Sequence, residues 1–143
     1  MTSRAFPLAG LLRLRRINQD RAAGELAAAA AALRERAADR GTAMASLDRS
    51  LSRVDSAQAL SAVAAARASS RSMLRELEAL ETRSRADLDR AQNDFSAARA
   101  QTISLEKLEE RHTAAVHAED LKAEQLVLDE IATNARHLRG KQT

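Results

Sequence analysis

The sequence lacks most of what builds an ordinary core and turns ordinary corners. In 143 residues there is no Cys, Trp or Tyr, only two aromatics (Phe6 and Phe95), one proline (Pro7) and four glycines. Without cysteine there is neither a disulfide framework nor a thiolate zinc site. With so few bulky rings and turn formers, a β-sandwich, a barrel and a doubly wound α/β fold are excluded. Apolar runs are short as well. The longest extends from Leu26 to Leu33, is mostly Ala, and is closed by Glu25 and Arg34, well below the roughly 18 residues of a membrane span.

What remains is helix-forming material. Thirty-three residues are Ala and charged side chains make up 30%, a composition typical of long helices and coiled coils. The length predicts a single coiled-coil domain over 1–143. A two-helix object of this size buries a seam rather than a core, so marginal stability and dependence on partners are expected.

The formal charge of +3 is unevenly spread. Residues 1–72 carry 12 basic and 6 acidic side chains, and residues 73–143 carry 11 and 14. Two segments of opposite bias attract when antiparallel. Residues 1–18 hold Arg4, Arg13, Arg15 and Arg16 and no acid. The arginines interrupt any apolar core of a secretory signal, which leaves a transit segment as the alternative reading.

The spacing predicts a first helix over about 7–53, opening near Pro7, whose missing N–H costs nothing in a first turn. Its stripe passes through Leu26, Ala30, Leu33, Ala37, Met44, Leu47, Leu51 and Val54, interrupted at Arg40, at heptad spacing. Gly24 and Gly41 weaken this helix by about 1 kcal/mol each against Ala. Asp55 and Ser56 are good N-cap types and place the turn at about 53–57; Ser69, Ser70 and Ser72 offer a later break. The second helix is expected over about 57–138. Its stripe is Met73, Leu77, Leu80, Leu88, Ala91, Phe95, Ala98, Thr102 and Leu105, with Ser84 marking one slip of heptad phase. Beyond Leu108 the phase slips again, and Leu105, Val116, Val127 and Leu138 are spaced by 11, which removes the left-handed supercoil of a heptad. The unequal lengths predict that the C-terminal part of the second helix overhangs. The expected fold is therefore all-α: a long antiparallel two-helix coiled-coil hairpin with an overhanging C-terminal helix.

Catalytic patterns are thin. Glu109 and His112 form one Glu-x-x-His, but a di-iron bundle needs two copies and two further Glu, so these residues read as a charged outer face. No glycine-rich phosphate loop exists. No catalytic residue, metal site, cofactor or small-molecule substrate is predicted, and the chain does not read as an enzyme. Leucine pairs carry more information. Leu11 and Leu12 cannot both face one seam, nor can Met73 and Leu74, nor Val127 and Leu128. One of each pair is free to meet a partner.

Three segments resemble the FliJ family of flagellar type III export apparatus proteins. Phe6-Pro7-Leu8-Ala9-Gly10-Leu11-Leu12 is similar to the family's N-terminal Phe-x-Leu-x-x-Leu-Leu, and Leu105-Glu106-Lys107-Leu108-Glu109-Glu110-Arg111 resembles its Leu-x-x-Leu-x-Glu-Arg stretch. Leu128-Asp129-Glu130-Ile131-Ala132 resembles its Asp-Glu-hydrophobic-Ala ending. The resemblance implies a non-enzymatic stalk-like coiled coil that enters and stimulates the hexameric export ATPase. It implies as further partners the ATPase regulator, the cytoplasmic domain of the export gate, and export chaperones. It places an elongated monomer in the cytoplasm, at the inner face of the cell membrane beneath the flagellar basal body. Carried over by residue, the ATPase-binding set is Leu8, Leu11 and Leu12 at one terminus and Ile131 and Leu138 at the other. The gate-binding set is Ala66, Ser70, Met73 and Leu77, with Ala66 standing where the family has an aromatic. Two alternatives compete: a nucleic-acid-binding hairpin using the basic first half, which the neutralising second half and the missing recognition motif oppose, and a structural coiled coil that only oligomerises.

Overall fold

The computed structural model describes residues 4–50 and 56–140, apart from the Leu138 side chain. Two long helices account for nearly all of it: α1 is Ala9–Arg49 and α2 is Ala57–Gly140. They pack against each other, and no strand occurs among the described residues. The expected turn at 53–57 and the stripe positions Leu51 and Val54 fall mainly on 51–55, outside the described residues.

Helix ends follow local chemistry. Ahead of α1, Ala9 N–H donates to Phe6 O and Leu12 N–H to Leu8 O, so the chain coils directly out of Pro7. At the other end Arg49 Nε donates back to Ala45 O, a cation placed where the last carbonyls are unpaired. Ser56 caps α2: its Oγ accepts from Ala59 N–H at 3.1 Å and its carbonyl accepts from Leu60 N–H. The first bond satisfies one of the four orphan donors of the first turn, and the second is the first bond of the helix itself.

The structure comprises two compact units, each taking part of both helices: Met1–Ile17 with Ala100–Thr143, and Asn18–Arg99. In the second unit the inward row of α1 runs through Gln19, Ala22, Leu26, Ala29, Leu33, Arg36, Arg40, Ala43 and Leu47. The sequence expectation shares Leu26, Ala30, Leu33, Arg40 and Leu47 with the covered positions, but Ala37 and Met44 are exposed. A 3.6-residue period leaves i+3 and i+4 both close to a stripe. Packing takes the i+3 position at Ala29, Arg36 and Ala43, and leaves Ala37 and Met44 outside.

On α2 the same unit covers Val63, Arg67, Ser70, Leu74, Leu77, Glu81, Ser84, Leu88, Ala91, Phe95 and Ala98. The heptad is unbroken. The phase slip expected at Ser84 is absent, because Leu74 and Glu81 occupy the row while Met73 and Leu80 face out.

The first unit holds the deepest packing. Leu12 is 2% exposed, Thr102 is 3% exposed, and Leu105 is also buried. Thr102 Oγ1 donates to Arg15 O, Arg15 Nη1 to Gln101 Oε1, and Arg16 to Glu106. The covered row continues through Glu109, His112 and Val116, so the heptad does not lapse beyond Leu108 as expected. The apolar pattern disappears there because polar side chains occupy the row.

Candidate partner-binding surfaces

The N-terminal surface is built by the entry into α1. Leu8 and Leu11 are each 39% exposed, and Leu14 and Ile17 are more open. Leu12, one residue on, turns inward and is enclosed. The structure thus divides the Leu11 and Leu12 pair. Of the three N-terminal leucines predicted to meet the ATPase, Leu8 and Leu11 are accessible and Leu12 packs the helices together.

The residues before α1 lie along α2. Phe6 stacks at a tilt on His112, with ring centroids 5.7 Å apart, and Arg4 pairs with Asp120 at 3.0 Å. His112 is half-buried and its Nε2 is enclosed without a hydrogen bond. Arg16 Nη2 lies 4.0 Å from Glu109 Oε2. The Glu109 and His112 motif expected on a charged outer face therefore belongs to the covered row. The charged-residue pattern hid this, because Phe6 and Arg16 lie about a hundred residues away in the chain.

The C-terminal surface is a stretch of α2. Every residue from 121 to 137 is exposed. Leu121, Val127, Leu128 and Ile131 share one side by helical spacing, and Ile131 is 59% exposed. Val127 and Leu128, of which one was expected to be spare, are both open. Leu138 lies within α2, and its side chain is outside the described set.

In the second unit the set predicted to meet the export gate divides in two. Ala66 and Met73 are exposed, Met73 at 55%, whereas Ser70 and Leu77 are half-buried on the inward row. Spacing by 4, 3, 4 is also the spacing of a seam, so the pattern alone could not separate the two faces. Leu60 and Leu80 are further exposed apolar residues on this part of α2, and Leu80 lies seven residues from Met73, on the same side of the helix.

Among the described residues no group of three or more His, Asp or Glu could hold a metal ion, and no helix is long and apolar enough to cross a membrane. A family model described as "Flagellar FliJ protein" matches residues 4–141. No curated protein and no solved structure matches.

Proposed function

Because this chain belongs to the FliJ family, a non-enzymatic component of the flagellar export apparatus, we propose that it serves there as a stalk that binds and stimulates the export ATPase. The two helices form an antiparallel coiled-coil hairpin whose α2 overhangs, and the free end enters the ATPase ring. The observation that carries this reading is the unbroken exposure of residues 121–137, with Leu121, Val127, Leu128 and Ile131 on one side. An apolar helix side open to water is a docking element for a groove. Leu8, Leu11, Ile131 and Leu138 are the contact residues, and Leu12, enclosed between the helices, holds the N-terminal pair in place.

The export-gate contact uses the exposed pair Ala66 and Met73, with Ser70 and Leu77 behind them. The ATPase regulator and export chaperones complete the partners. The protein acts as an elongated monomer on the cytoplasmic side, at the inner face of the membrane below the basal body.

The test is ATP hydrolysis by the cognate hexamer with and without purified protein. The expected result is stimulation by the full chain, no hydrolysis by the chain alone, and loss of stimulation in Leu128→Asp/Ile131→Asp. Absence of both stimulation and co-purification rejects the proposal.

A further inference from the structure

The seam of the second unit is repetitive. On α1, Leu26, Leu33 and Leu47 stand at multiples of seven, and the intermediate inward positions include Ala22, Ala29 and Ala43. On α2, Leu74 and Leu88 are fourteen apart. Such a seam can slide by one heptad and still set leucine and alanine against each other.

Arg36 and Phe95 interrupt the repeat, and one pair of facing charges breaks its degeneracy most directly. Arg40 and Glu81 are both inward positions of their helices, and Arg40 Nε lies 3.4 Å from Glu81 Oε2. The Glu81 side chain is only 15% exposed, and Arg85 Nη2 holds its other oxygen at 3.3 Å. Oε2 is enclosed and makes no hydrogen bond, so the Arg40 contact is a charge contact outside hydrogen-bond geometry. A half-satisfied, nearly buried carboxylate is a poor source of stability. Its surroundings suit another role. Seven residues to either side of Arg40 stand Leu33 and Leu47, and seven to either side of Glu81 stand Leu74 and Leu88.

The geometry points to Arg40 and Glu81 as a register pin for the helix pair. A slip of seven residues in either direction sets the Arg40 guanidinium against Leu74 or Leu88. The same slip sets the Glu81 carboxylate against Leu33 or Leu47. Both slips set each charge against leucine and leave Glu81 with Arg85 alone, whereas the native register also brings it Arg40, whose side chain stays 40% exposed. The pin penalises the alternatives and adds little to the native state, as a buried polar residue does when it specifies alignment in a coiled coil. It follows from the second unit alone and is independent of the export reading.

The test exploits the absence of cysteine. Spin labels are attached through Ala28→Cys and Ala79→Cys, two exposed positions of the second unit. Pulsed electron–electron double resonance is then recorded for the full chain with the native pair and with Arg40→Leu/Glu81→Leu. The native pair should give one narrow distance distribution. The leucine pair should keep or raise Tm and add a second population displaced by up to about 10 Å, the rise of seven helical residues. A single unshifted distribution in the leucine pair overturns the inference. So does a Tm well below that of the native pair, which would make the contact a stabilising bridge instead.

Discussion

Thr102 Oγ1 lies 3.3 Å from the backbone carbonyl of Arg15, 87 residues away in the chain, and this contact joins the two helices where the packing is deepest. Thr102 donates across the interface. Thr102→Val keeps the volume and removes the donor. The expected cost is about 1 kcal/mol, read as a lower midpoint in urea with an unchanged slope.

Leu12 and Leu11 should differ sharply under the same substitution. Leu12 is enclosed, so Leu12→Ala removes transfer energy and leaves a void, at about 2–3 kcal/mol. Leu11→Ala, at a substantially exposed position, should cost about 0.5 kcal/mol or less. Equal losses by thermal melting would contradict the inward orientation of Leu12. The binding assay should rank them in reverse under one conservative change: at a temperature where both variants are folded, ATPase stimulation falls more in Leu11→Ala than in Leu12→Ala.

Gly24 and Gly41 sit within α1, and a Cβ at either meets nothing within 4 Å. Neither has a positive φ. Each is a backbone entropy cost without a packing reason. Gly24→Ala and Gly41→Ala should each stabilise by about 0.5–1 kcal/mol and add where combined. Circular dichroism melts check this, with a Tm gain of a few degrees per site.

Met73 and Leu77 are expected to separate binding from folding. Met73 is open to solvent, so Met73→Asp should retain helicity and Tm while weakening capture of the export gate's cytoplasmic domain. Leu77 is half-buried on the inward row, so Leu77→Asp sets a carboxylate into the seam and should lower Tm markedly. Ellipticity at 222 nm against pull-down yield distinguishes the two. A pull-down unaffected by Met73→Asp would remove this residue from the gate surface.

The long-helix character was fixed by composition alone. A chain this rich in Ala and this poor in Gly, Pro and rings has few alternatives to long helices. The cap at Ser56 and the Leu26, Leu33 and Leu47 positions were legible because caps and heptads are local. The family was legible from three short segments, and the match over 4–141 spans all of them.

Tertiary structure alone decided which member of each ambiguous pair faces in. Leu12 faces in rather than Leu11, Leu74 rather than Met73, and Glu81 rather than Leu80, the last against the apolar pattern of a seam. The physical reason lies in the second helix. A helical period of 3.6 leaves i+3 and i+4 almost equivalent within one helix, and only the opposing row breaks the tie. That row brings Arg40 to Glu81 and Phe6 to His112. Polar and distant partners of this kind leave no periodic trace in the sequence.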